Sequence, residues 1–170
     1  MNRIVYMVLR HLPIVPYWFW KIDHMGKRSD QYPEQERYDY LRNIIKTINQ
    51  NGRVTVRGYG EEQLPKENGF ILFPNHQGFF DMLAIIDTCP KPLGVIIKKE
   101  AANWILVKQV LRLLGGIPMD RSDIRAAMEV IKEMTRQVKE GKNYVIFPEG
   151  TRSRKGNELL EFKAGTFKSA

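Results

Sequence analysis

The sequence has a single cysteine, Cys89, in 170 residues, and only three histidines. One thiol permits no internal disulfide, which suits a reducing compartment, and Cys89 reads as a small core residue. No second histidine lies near His76 in the sequence, so His76 with Asp81 and Glu149 would make a poor catalytic zinc set, and no metal site is expected. An uninterrupted apolar run is also missing. From Ile4 to Trp20 the chain is mostly apolar, but Arg10, His11, Pro13 and Pro16 break it, which leaves it too short for a bilayer span. No small-residue cleavage site follows, which argues against a secretory signal peptide. Internal repeats, low-complexity stretches and standard nucleic-acid motifs are lacking too, and the basic residues are spread along the chain, so nucleic acid is not an expected partner.

What is present describes one globular core with an appendage: 43% apolar residues, and 27 Lys+Arg against 19 Asp+Glu for a net charge of +8. That balance favours partners carrying phosphate, including anionic lipid. Near the start, Tyr17, Trp18, Phe19 and Trp20 precede Lys21, the aromatic and basic combination that prefers a lipid headgroup layer. Residues 1–50 are therefore expected to form a helical, membrane-associating segment, the competing reading being a helix packed on the core. Residues 51–170 are expected to form the α/β domain.

Tyr38, Leu41, Ile45 and Ile48 recur at helical spacing and predict a helix from about Glu34 to Gln50, ended by Asn51-Gly52. Val54 and Val56 alternate with polar neighbours and predict a half-buried strand. Apolar runs at Phe70–Phe73, Gly94–Ile97 and Asn143–Phe147 predict buried strands. A helix capped by Ser122 or Asp123, with Ile124, Ala127, Met128, Ile131, Met134 and Val138 on one face, is expected to stop at Gly141. The fold class is α/β, a mixed sheet covered by helices. Ligands in such folds gather at the carboxyl ends of strands. Two of the predicted strands end in Phe-Pro followed at once by a polar loop: Asn75-His76-Gln77-Gly78, and Glu149-Gly150-Thr151-Arg152.

His76 and Asp81 stand five apart, a spacing that an unbroken helix would splay by about 140°. A turn at Gln77-Gly78 leading into a helix would return the carboxylate to the imidazole, fixing its tautomer and leaving the other nitrogen to accept a proton from a hydroxyl. By itself the spacing decides nothing, and a loop histidine beside a helix-capping aspartate fits as well. The loop from Phe147 to Arg154 offers a glycine, hydroxyls and two guanidinium groups, a set suited to a phosphate monoester, against the alternative of a solvated basic turn. Arg121, in a turn after Gly115-Gly116-Ile117-Pro118-Met119-Asp120, can add a second basic contact or pair with a neighbouring aspartate. Lys99 closes the third predicted strand, and Lys163 follows the Arg-rich loop; each is a candidate phosphate or donor contact with a solvated alternative.

Taken in order, Asn75-His76-x-x-x-x-Asp81, Lys98-Lys99-Glu100, Gly115-Gly116-Ile117-Pro118-x-Asp120-Arg121 and Phe147-Pro148-Glu149-Gly150-Thr151-Arg152 resemble the glycerolipid acyltransferase family, most closely its bacterial 1-acyl-glycerol-3-phosphate acyltransferases. The resemblance runs from about Arg53 to Thr166. It implies that His76 is the general base and Asp81 its orienting partner, that Glu149, Gly150, Thr151 and Arg152 hold the acceptor's phosphate, and that Arg121 is a second phosphate contact. It further implies lysophosphatidic acid as acceptor, acyl-CoA or acyl carrier protein as donor with no other cofactor, and work at the cytoplasmic face of the cell membrane. Two departures stand out. Gly78 occupies a position where many members carry Ser, and members usually continue with more sheet and helix, so the domain is expected to be truncated at its C-terminus. The rival readings are a non-catalytic phospholipid-binding protein and a metal-dependent hydrolase.

Overall fold

Prolines set the starts of the first two helices. Pro16 lies in the first turn of α1 (Val15–Lys27), where a missing N–H costs nothing, and Pro33 immediately precedes α2 (Glu34–Asn51). Glu34 and Glu36 in the first turn of α2 complement the positive end of its dipole. The structure, a computed structural model, describes residues 10–154 and 158–169; residues 4–9 of the apolar N-terminal segment lie outside them. Among the described residues no helix is long and apolar enough to cross a membrane.

The α/β part begins with β1 (Ile71–Leu72) and continues through α3 (Asp81–Thr88), β2 (Gly94–Lys98), α4 (Lys99–Ala102), α5 (Val107–Leu113), β3 (Ile117–Met119), α6 (Ile124–Lys139) and β4 (Tyr144–Val145). The strands form one sheet in the order β1-β4-β2-β3. Ile71 and Gly94 both pair with Tyr144, and Ile96 pairs with Ile117. Every ladder is parallel, where a mixed sheet was expected. Parallel neighbours need crossovers, which α3, the α4–α5 pair and α6 supply.

Side chains alternate across the sheet with period two and build a core on each face. Val95, Val145 and Phe147 pack with α1, α2, α3 and α5 through Ile22, Met25, Tyr38, Leu41, Ile45, Ile86 and Leu113. Ile96, Met119, Tyr144 and Ile146 point the other way, against Met134, Ile131, Val130 and Ala127 of α6. Asp123 caps α6, accepting the amides of Arg125 and Ala126 at 2.9 and 3.1 Å, as its position in the sequence foretold.

Two strand expectations change. Val54 and Val56 are half-buried and alternate with exposed Thr55 and Arg57, yet they join no ladder among the described residues. The turn expected after Gly115-Gly116 contains a strand, β3, which Pro118 disguises. Proline cannot donate to a ladder, so it is tolerated only at sheet edges, and β3 is an edge strand. With all strands parallel, their carboxyl ends lie along one rim of the sheet. That rim carries the loops after Leu72, Val145, Lys98 and Met119.

Candidate active site

His76 sits in the loop between β1 and α3, and Asp81 is the first residue of α3. The Asp81 carboxylate folds back over the loop. One oxygen, Oδ2, accepts from His76 Nδ1 at 2.7 Å, from the Gln77 amide at 2.7 Å and from the Gly78 amide at 2.9 Å. Burial alone would raise the aspartate pKa, but the hydrogen bonds from Gly78, His76 and Gln77 outweigh it and hold the carboxyl below its ordinary 3.8. A depressed carboxyl adds stability that is complete above that ordinary value and is lost as pH falls through the lower folded one. Since an ionised carboxylate only accepts, Nδ1 must carry the proton, and Nε2 is left as the basic nitrogen.

A glycine at position 78 makes a turn sterically cheap, but this turn does not depend on it. Its backbone avoids the left-handed region, and a Cβ there would make only ordinary van der Waals contacts, with Asp81 Oδ1 at 3.8 Å and the Phe80 nitrogen at 3.9 Å. The loop is shaped by amides converging on one carboxylate oxygen, and a serine would fit at position 78.

Three more contacts fix His76. Its ring stacks on Phe147, centroids 4.2 Å apart. Its amide donates to Glu149 Oε1 at 2.6 Å, and its carbonyl accepts from the Ser153 amide at 2.8 Å. The other Glu149 oxygen accepts from the Leu160 amide at 2.9 Å. Glu149 is only 2% exposed. It stands among the substrate contacts expected from the sequence, but both its oxygens are engaged by backbone amides, so its observed part is to clamp the His76 loop to the segment before Lys163.

The basic residues assemble around Gly150. Arg121, two residues past the end of β3, donates through Nη1 to the Gly150 carbonyl. Gly150 has φ +68°, a conformation that L side chains rarely adopt, and this turns its carbonyl to the guanidinium. Burial lowers the Arg121 pKa from its usual 12.5; a guanidinium stays charged regardless. The Lys163 amide bonds the Pro148 carbonyl at 2.8 Å, and its side-chain stem passes beside Gly150. Thr151 is exposed, and Arg152 lies over the ring of Phe79, guanidinium carbon 4.0 Å from the centroid. Lys99 is set apart from this group, paired with Asp120 at 3.4 Å. Two Ser122 hydrogen bonds, hydroxyl then amide, followed by Lys99, hold Asp120 at about 2.

Sequence reasoning missed Phe147, which orients the imidazole, and Phe79, which carries Arg152. Two aromatics directly after the His76-Gln77-Gly78 turn were the available signal for Phe79. For Phe147 there was none, because the contact joins strand ends 71 residues apart only once β1 and β4 pair. The rim thus presents an imidazole base held by a carboxylate, next to hydroxyls and guanidinium groups suited to a phosphate. Among the described residues, no three His, Cys, Asp or Glu side chains converge on a point that would hold a metal.

Comparison with known proteins bears on this arrangement. The family model described as Acyltransferase matches residues 53–170. The 1-acyl-sn-glycerol-3-phosphate acyltransferase of Borreliella burgdorferi is 34% identical over 111 residues, covering 65% of this chain and 44% of that protein. The enzyme of the same name from Escherichia coli is 35% identical over 102 residues, covering 59% of this chain and 41% of the relative. The chain therefore spans less than half the length of these relatives. The crystal structure of the 1-acyl-sn-glycerophosphate (LPA) acyltransferase PlsC from Thermotoga maritima matches with a TM-score of 0.71 at 25% identity, over 99% of this chain and 69% of that one.

Proposed function

This chain belongs to the acyltransferase family, and from that premise we propose that it transfers an acyl group from acyl-CoA or acyl carrier protein to the free sn-2 hydroxyl of 1-acyl-glycerol-3-phosphate, giving phosphatidic acid. The observation that carries the reading is the 2.7 Å contact between His76 Nδ1 and Asp81 Oδ2 on the same rim as the Arg121–Gly150 pair. In this reading the acceptor's phosphate binds Arg152, Thr151 and Arg121, with Lys163 beside them, and that binding aligns the hydroxyl on Nε2 of His76. His76 takes the proton as the oxygen attacks the thioester carbon. The tetrahedral intermediate then expels the thiolate, which leaves as a thiol with the proton returned from the imidazolium. A thiol of pKa about 8.5 is a good leaving group, and the donor thioester is the only cosubstrate the reaction needs.

The same reading places the protein at the cytoplasmic face of the membrane, with anionic lipid as its surface partner. It is supported by the start of α1, where Tyr17 and Trp20 are exposed beside Leu12, Ile14 and Val15. Trp18 on the same helix packs against the core instead.

The direct test is thiol release from an acyl-CoA panel with and without lysophosphatidic acid. Release that depends on the acceptor is expected; lipid binding with no release from any thioester donor would leave a phospholipid-binding protein. Asp81→Asn should lower kcat by roughly 10²- to 10⁴-fold, because an amide can present its NH₂ to Nδ1 and favour the wrong tautomer. KM should change little, as read from initial rates against acceptor concentration. Arg121→Ala and Arg152→Ala should instead raise the acceptor KM, each by about tenfold or more, as expected for losing one charge-assisted phosphate contact. An unchanged KM for an acceptor lacking the phosphate would localise that effect.

A further inference from the structure

Between α4 and α5 the chain turns outward at Trp104, Ile105 and Leu106, whose side chains are 55%, 83% and 50% exposed. Single exposed apolar residues are ordinary on protein surfaces; three consecutive large ones at a loop tip are not. Leu106 also has φ +73°, the left-handed region that non-glycine residues avoid. The strained turn is held by Gln109, whose Oε1 accepts the Leu106 amide at 2.9 Å, and by the first bonds of α5, from the Lys108 amide to the Trp104 carbonyl and from the Val110 amide to the Leu106 carbonyl. Strain of this kind persists where the surroundings fix it, and it concentrates at functional sites. Here it turns apolar side chains away from the core.

Helix α5 packs against α1. Arg112 meets Asp23 at 3.3 Å, and a Cβ added at Gly26 would lie 3.2 Å from the Leu113 nitrogen. Both contacts join the C-terminal ends of the two helices. Along each helix from that junction, Leu106 lies about 10 Å away on α5 and Tyr17 about 13 Å away on α1, similar reaches for the two exposed apolar tips. Lys108, two residues past the tip, is exposed, and the chain's net charge is +8. A lysine beside a Trp-containing apolar tip, on a chain of net positive charge, complements an anionic lipid surface.

We propose that the Trp104–Leu106 tip is a second lipid-inserting point, seated in the same bilayer face as the start of α1. It rests on the membrane-surface reading given above. Two points of insertion fix a protein's tilt on a membrane where one leaves it free to rock.

An environment-sensitive dye tests this. It would be placed on Ile105→Cys, on Tyr17→Cys and on Glu129→Cys of α6, with Cys89 left in place because it is 5% exposed. With mixed phosphatidylcholine–phosphatidylglycerol vesicles, the labels at 105 and 17 should shift to the blue and be quenched by nitroxide lipids, while the label at 129 stays unchanged. A response at 17 alone would overturn the second point and leave the membrane reading intact; silence at both would remove both. A shift at 105 that follows protein concentration without vesicles would make the tip a contact between copies and overturn the proposal. In unlabelled protein, Ile105→Asp should weaken vesicle partitioning by about tenfold or more while turnover of a short-chain, water-soluble acceptor is unchanged. Equal loss with both acceptors would mark a folding defect and count against insertion.

Discussion

Replacing His76 with alanine is expected to lower kcat by about 10³-fold or more while vesicle and acceptor binding persist. A positioned base contributes roughly 10²- to 10⁴-fold by itself, and no other basic side chain contacts Asp81 among the described residues. The variant should remain folded. Asp81 keeps the Gln77 and Gly78 amides, and the main-chain bonds of residue 76 to Glu149 and Ser153 do not involve the imidazole. What is lost is one charged hydrogen bond at a partly exposed site and the stack on Phe147, together about 1–3 kcal/mol. Thiol release from acyl-CoA, read beside a urea melt, separates chemistry from folding. A rate within a few-fold of the parent would remove His76 from the reaction.

The second large effect concerns Glu149 and is primarily one of stability. Glu149→Ala strands two backbone amides, those of His76 and Leu160, where water has little access. Each such group costs about 1–3 kcal/mol, so a total of about 2–6 kcal/mol is expected, with kcat falling as the His76 loop loosens. Glu149→Gln keeps one oxygen acceptor and turns an NH₂ toward the other amide, so it should lie between the parent and alanine. A clamp predicts loss of unfolding free energy and of kcat with the acceptor KM little changed. A direct phosphate contact, the role expected from sequence, predicts the reverse: normal stability and a raised KM. Urea unfolding and steady-state kinetics on the same three proteins decide between them.

The features legible in the sequence were those that depend on local order. Helix α2 follows its apolar period to within one residue of the expected end, and Asp123 caps α6 because a carboxylate in that position meets free amides whatever the rest of the fold does. The His76–Asp81 pair was legible for the same reason, being closed within five residues. Misreadings arose where a local pattern answers to its surroundings. Val54 and Val56 alternate like a strand but join no ladder among the described residues, and Pro118 looks like a turn until the strand order places it at an edge. The buried placement of Glu149 was illegible for a related reason. A carboxylate within a Gly-Thr-Arg loop has the same local signature whether it faces a ligand or the interior, and only the packing of β1 beside β4 distinguishes the two. The seat of Arg152 on Phe79 likewise needs loops from two different strands.

The Glu149 clamp also bears on how the chain folds. Its two bonds span 73 and 11 residues, so the carboxylate must gather segments from both sides of the β1–β4 pairing. Closing the longer of these loops has a large entropic cost that is repaid only after the sheet has formed. The His76 loop is therefore expected to be fixed in place late, after the His76–Asp81 pair can already form locally. During refolding, activity should lag behind the recovery of helical signal and return together with the last tertiary packing.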